Sequence, residues 1–282
     1  MVRRRPAPEP GEADLESIEI ELLLQGIYRR YGYDLRGHDA AFVARRVARR
    51  VAEEGVETVS RLLEKLLRDS ALFDRFIAEL SRDDASLFSP TAFWKPFRKK
   101  VAPFLRTYPT LRLWSVEGSP AEIYSLSILV EEDVPRNVRI YATEIHEGLV
   151  ERAASGVLDT GALKSGARDY KESGGRRGLS TFFDRDNGAA VLSPALRRKI
   201  VFATHNLSMD GPFQSFHAIL ARGVLSAFDD PLRERSYRFL HESLVPLGFL
   251  ALGPGDDLRR SPVAARYREV DRTARLYQKM RD

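Results

Sequence analysis

The chain has 282 residues, 43% hydrophobic and 30% charged, with a formal net charge of +5 and a pI near 9.4. That length is comfortable for two domains, and the balance suits a globular protein that buries a core. Cysteine is absent, which removes disulfides, thiolate nucleophiles and cysteine-based zinc sites together and fits a reducing, cytoplasmic setting. No apolar run approaches the ~20 residues of a membrane span, and no signal-peptide core follows the N-terminus. The basic balance suits an acidic partner, and equally a solvated surface.

Residues 1–13, MVRRRPAPEPGEA, are rich in Arg, Pro and Glu and read as a flexible tail. A helical domain is expected over 14–90. Ile18, Leu22, Leu23 and Ile27 recur at helical spacing until Gly32 and Gly37 break the pattern. From Ala40 to Glu54, Phe42, Val43, Val47 and Val51 form an apolar stripe, and Arg45, Arg46, Arg49 and Arg50 share one flank. Gly55 supplies a stop. Two more helices are expected over Val59–Leu67 and Ala71–Leu80.

Beyond Pro90 the pattern alternates. A helix over Pro96–Thr107 precedes a strand at Leu111–Ser115, a helix at Ala121–Glu131, a strand at Val138–Thr143 and a helix at Glu147–Ala154. Strand-helix alternation of this length predicts a parallel sheet flanked by helices over 91–282. The stretch from Gly156 to Arg198 is looser. Gly174-Gly175 and Asp186-Asn187-Gly188 suggest a small inserted β-subdomain at about 171–194. Strands at Ile200–Thr204, Phe216–Leu220 and Phe249–Gly253 resume the sheet, with a helix over Pro231–Leu244. Tyr267–Val270 and Thr273–Tyr277 read as a closing hairpin turning at Asp271-Arg272.

Several strings occur in a telling order. They are Leu113-Trp114-Ser115 leading to Glu122-Ile123-Tyr124-Ser125, then Ile140-Tyr141-Ala142-Thr143-Glu144-Ile145, Ala153 to Val157, Phe202 to Leu207, Arg222-Gly223-Val224-Leu225 and Leu247-Gly248-Phe249-Leu250. In that order and spacing, from about Glu19 to Tyr277, the chain resembles the CheR-type chemotaxis receptor methyltransferases, which move a methyl group from S-adenosylmethionine to a receptor glutamate. The resemblance implies an all-α N-terminal domain followed by a Rossmann-like α/β domain with a small inserted β-subdomain. It also implies S-adenosylmethionine or S-adenosylhomocysteine as the bound cofactor.

The resemblance places cofactor contacts at Gly118, Glu122, Glu144, Ile145, Asn206, Leu207 and Arg222. Glu144 stands where the family has a ribose-binding Asp, and its carboxylate keeps the power to accept from both hydroxyls. The departures are as informative. The turn Val116-Glu117-Gly118-Ser119-Pro120-Ala121 is one residue short and poor in glycine, and Glu117 adds an acid where a cofactor carboxylate should lie. The family's T-x-F-F-R arginine is Ser89, and the Asn and Tyr of its R-N-V-L-I-Y-F string are Gly223 and Ala227. Loss of groups that align an acceptor should cost orders of magnitude in rate.

The expected function is therefore a CheR-like protein of a bacterial chemosensory system with lost or greatly reduced methyl transfer and a binding or scaffold role. The alternative is an active methyltransferase with a glutamate or a different acceptor, in which Lys95 or Tyr124 takes over alignment. Arg45, Arg46, Arg49 and Arg50 are the expected surface for an acidic helical partner such as a chemoreceptor. Nucleic acid is disfavoured, because no aromatics interleave with the arginines. His38, His146, His205, His217 and His241 show no zinc spacing, and His205 reads as a surface or packing residue.

Overall fold

The computed structural model describes residues 12–80, 86–134, 137–186, 188–211 and 214–281. Residues 1–11 of the tail expected over 1–13, and Asn187 of the predicted turn, lie outside the described residues, while residues 12 and 13 belong to the first helix. The chain divides into two compact units, Met1–Leu80 and Ser81–Asp282. The division falls ahead of Pro90 because Leu87 and Phe88 are fully buried in the core of the second unit.

The first unit holds α1 (Glu12–Tyr31), α2 (Ala40–Glu53), α3 (Val59–Arg68) and α4 (Ser70–Leu80). Asp39 and Thr58 cap α2 and α3 by accepting the N–H of Phe42 at 2.8 Å and of Arg61 at 3.2 Å. Leu23, Ile27, Val47, Leu62, Leu66 and Phe76 close the core. The apolar stripe expected on α1 is only half inside: Ile18 is 46% and Leu22 55% exposed. The reason is the seat of α1 on α3. A Cβ on Gly26 would lie 2.8 Å from Leu63 Cδ1, so the face around Gly26, Leu23 and Ile27 makes the close approach.

In the second unit a continuous helical run replaces the expected Pro96–Thr107 helix. It comprises α5 (Thr91–Pro96), a π-helical stretch over Phe97–Val101, and α6 (Ala102–Leu105). Pro96 lies inside the run, where its missing N–H and ring disturb the regular ladder. Then follow β1 (Thr110–Val116), α7 (Pro120–Asp133), β2 (Asn137–Glu144) and α8 (Glu147–Ser155). The inserted portion begins earlier than residue 171. It contains β3 (Val157–Leu158), α9 (Thr160–Glu172), β4 (Phe183–Asp186) and β5 (Ala189–Leu192), the strands forming an antiparallel sheet in the order β3-β5-β4. The remainder is α10 (Pro194–Arg197), β6 (Ile200–Thr204), β7 (Phe216–Ala221), α11 (Asp230–Glu242), β8 (Leu244–Leu252), β9 (Tyr267–Asp271) and β10 (Leu276–Lys279).

The main sheet has seven strands in the order β6-β2-β1-β7-β8-β10-β9, and β10 runs antiparallel to both β8 and β9. The closing hairpin turns later than expected: Asp271 Oδ1 accepts from Ala274 N–H at 2.9 Å, which keeps residues 272–275 in the turn and starts β10 at Leu276. Successive side chains alternate between two apolar clusters. Leu113, Leu220 and Ala251 face one, and Trp114, Ala221 and Leu252 the other. The sheet is thus covered on both faces, as a parallel sheet requires.

Candidate functional site

In this sheet β1 has β2 on one side and β7 on the other, so the strand order reverses between β1 and β7. A crevice at the carboxyl ends of strands around such a reversal is where open α/β sheets receive ligands. The turn after β1 and the residues after β7 both emerge there. They bring together three of the positions expected to contact a cofactor. Arg222 Nη1 donates to Glu122 Oε2 at 2.7 Å, with both side chains almost wholly buried. The Arg222 guanidinium lies 3.8 Å from the centroid of the Phe93 ring, over its face. A Cβ at Gly118 would fall 2.2 Å from Ser115 Oγ and 3.2 Å from Glu122 Oε1, so this position requires glycine for close approach.

Two oxygens around Gly118 lack a protein partner: Ser115 Oγ and Glu122 Oε1 are both buried and without a hydrogen bond among the described residues. Buried polar atoms are nearly always satisfied, and such a pair marks a place where a ligand's polar groups can be received. Ser119 caps α7 by accepting Glu122 N–H at 3.3 Å, and Pro120 sits in its first turn. Those local signals start α7 where Glu122 turns inward.

Glu117 holds a left-handed backbone at φ +47° and donates its N–H to Thr143 O at 2.8 Å. Its side chain is half-buried, and desolvation pushes its carboxyl up to about 8 from an ordinary 4.5. A carboxyl raised this far carries less charge at neutral pH than an ordinary glutamate, which weakens the repulsion of a cofactor carboxylate expected from the sequence. The folded chain binds a proton that the unfolded chain has released between pH 4.5 and about 8, so this group makes stability fall as pH rises through that window. Glu117→Gln should flatten the fall in urea midpoints measured at pH 5, 7 and 8.5. Glu117→Gly should add about 1 kcal/mol by relieving the left-handed strain.

Glu144 ends β2, buried, opposite Thr204 of β6, and its backbone oxygen accepts His205 N–H at 2.9 Å. Ile145 follows it, half-buried. Asn206 closes its own loop: its Oδ1 accepts from Ser208 N–H at 2.9 Å, and its N–H donates to Asp210 Oδ2 at 2.8 Å. Leu207 is only 1% exposed and belongs to the apolar cluster. Its side chain packs within that cluster and is not turned outward. His205 packs edge-on against Trp114 at 5.3 Å, and burial lowers its pKa.

At the positions where the sequence departs from the family strings, Ser89 is half-buried and donates its N–H to Ser86 O at 3.1 Å. Gly223 has φ +84° and donates its N–H to Asp256 Oδ2 at 3.2 Å. A Cβ on Gly253 would lie 2.2 Å from Gly223 N, so the ends of β7 and β8 touch backbone to backbone. Ala227 rests half-buried against the apolar cluster. Tyr124, expected as one group that could align an acceptor, is fully buried and its hydroxyl donates to Ala153 O at 2.7 Å. Lys95 stands exposed on α5. Sequence reasoning missed Ser115, Phe93, Asp256 and Gly253. Only Gly253, just past a strand, carried a readable signal.

The four arginines of α2 do not form one exposed flank. Arg45 is exposed and Arg46 lies 5.3 Å over the Phe42 ring. Arg49 Nε donates to Glu53 at 2.8 Å. Arg50 is buried, ion-paired with Glu54 at 3.4 Å and in contact with Glu79 of α4, and so is withdrawn from the surface assigned to it. Arg50→Ala should destabilise the first unit by about 3 kcal/mol, the low end for breaking a buried pair, while Arg45→Glu should stay within about 0.5 kcal/mol. Urea unfolding of the two variants checks the contrast. Among the described residues no group of three or more His, Cys, Asp or Glu could hold a metal ion, and no helix is long and apolar enough to cross a membrane.

The seven-strand order with its reversal between β1 and β7 is that of a Rossmann-like fold of the methyltransferase type. Residues 84–274 match the family model described as CheR methyltransferase, SAM binding domain, and residues 18–81 match CheR methyltransferase, all-alpha domain. The chain belongs to the CheR methyltransferase family. It is 31% identical over 264 residues to a putative methyltransferase Cher3 of Pseudomonas putida, covering 93% of this chain and 97% of the relative. It is 26% identical to the chemotaxis protein methyltransferase of Listeria monocytogenes, covering 82% of this chain and 87% of that one. It is also 23% identical to chemotaxis protein methyltransferase 1 of Pseudomonas aeruginosa, covering 86% and 92%. Among solved structures, PKMT2 from Rickettsia typhi overlaps 61% of this chain and 26% of its own at a TM-score of 0.35 and 11% identity. The glycopeptide N-methyltransferase MtfA overlaps 56% and 52% at 0.34 and 13%.

Proposed function

We propose that this chain holds S-adenosylmethionine or its demethylated product in the crevice after β1, and that it has lost most of its methyl transfer to glutamate. It acts as a binding module of a bacterial chemosensory system, in the cytoplasm. The donor side supports the first part. Glu122 Oε1 and Ser115 Oγ are buried, unpartnered and packed close around Gly118. They suit the charged methionyl end of the cofactor, and Glu144 suits the ribose hydroxyls. Bound S-adenosylmethionine would supply an electrophilic methyl group on its sulfonium.

The acceptor side supports the second part. Ser89, Gly223 and Ala227 offer neither a cationic fork nor a hydroxyl ring to orient a carboxylate. The observation that carries this reading is the commitment of Arg222. Its guanidinium is paired to Glu122 and laid on Phe93, so it is not spare to replace a missing arginine. Arg45, Arg46 and Arg49 remain the proposed surface for an acidic helical partner.

Isothermal titration should give a micromolar Kd for the donor and its product. Methyl-label transfer to receptor fragments should run at least ~100-fold below ordinary turnover of about 10 s⁻¹. Silence to millimolar would remove the donor half of the proposal, and ordinary turnover would remove the other half. The buried acceptors of the donor side also suit a second reading, transfer to a different acceptor. Labelling of a protein other than a receptor in the same assay would select it.

A further inference from the structure

The second unit carries a cleft of about 430 Å³ between the helical run that starts at Thr91 and the β9–β10 turn. That volume falls within the roughly 300–1,000 Å³ of ordinary binding clefts. Ala92 and Pro96 line it with apolar surface, Lys95, Lys99 and Lys100 with cations, and Asp271 with the one acid among its lining residues. Lys100 Nζ donates to Asp271 Oδ2 at 2.9 Å and to Val270 O at 3.1 Å. That tie fastens the turn to the helix and uses the acid. Lys95 and Lys99 are exposed and have no ion-pair partner among the described residues. Elsewhere in the unit Arg98, Lys199, Arg222 and Arg259 are all matched by acids.

The π-helical stretch sets this arrangement. Its wider turn carries Arg98 inward to Glu132 and Asp133 while Lys99 and Lys100 stay outside. The geometry points to this cleft as a docking groove for an acidic, extended protein segment. Lys95 and Lys99 stand about one helical turn apart, roughly 5–6 Å along the axis. Alternate residues of an extended strand share a face at roughly 6.6–6.8 Å. Two carboxylates at i and i+2 therefore meet two ammonium groups. No aromatic side chain lines the cleft, so it gives bases nothing to stack on.

The test is fluorescence anisotropy of a labelled Glu-Ser-Glu-Ser-Glu-Ser peptide with the full chain. Binding in the high micromolar range is expected at 50 mM salt, weakening as salt rises. Lys95→Glu with Lys99→Glu should weaken it at least tenfold, with the thermal unfolding midpoint unchanged. A peptide of the same composition with its three acids consecutive should bind several-fold less well. The proposal is overturned by no binding to millimolar peptide, or by equal binding to the charge-reversed variant. Stronger, lysine-dependent binding of an oligothymidylate would also overturn it, in favour of nucleic acid.

Discussion

Arg222→Ala should lower the stability of the second unit by about 3–5 kcal/mol and abolish donor binding. The substitution leaves the Glu122 carboxylate buried without its counter-charge, and stranding one partner of a buried pair costs far more than the pair is worth. It also removes the cation from the Phe93 ring face. The urea midpoint of the second unit reads the loss. A double variant, Arg222→Met with Glu122→Leu, separates the causes: it should recover most of the stability, because no charge is then stranded, yet still fail to bind the donor. If the single variant unfolds like the parent, the pair is not the electrostatic anchor described here.

Ser89→Arg, Gly223→Asn and Ala227→Tyr together should raise methyl transfer to a receptor glutamate at least ~100-fold, with the donor Kd unchanged. Aligning groups act by holding the acceptor oxygen in line, and misplacement of about 1 Å already costs that much. The left-handed backbone at position 223 strains any side chain placed there. Asn tolerates the left-handed φ of +84° at position 223 better than other side chains do, and the N–H of that residue can keep its bond to Asp256. The rise belongs in kcat, measured by label transfer at saturating donor. A triple variant that folds, binds the donor and stays silent would show that the acceptor machinery was lost elsewhere.

Much of the fold was legible because it is local. The apolar runs of β1, β7 and β8 and the apolar stripe of α2 are written in consecutive residues. What stayed hidden depends on distance. Arg222 and Glu122 are 100 positions apart, and nothing in either neighbourhood announces the other. Arg49 and Arg50 look alike on a helical wheel, yet Glu79 of α4 draws Arg50 inside. The inserted sheet starts with the two residues of β3, too few to show a period. The register change at Pro96 was misread as a helix start because proline is common there. The sequence shows an acid at Glu117 but not the burial that raises its pKa.

The helix that carries Glu122 is enclosed on every side. Residues 121–130 of α7 are all buried, between the sheet, α6 and α10. A rod held this way has no low-energy route for sliding or turning, so the carboxylate it presents cannot swing to meet an arriving molecule. Association of the methyl donor should accordingly proceed in a single bimolecular step. Stopped-flow rates should climb linearly with donor concentration and show no plateau.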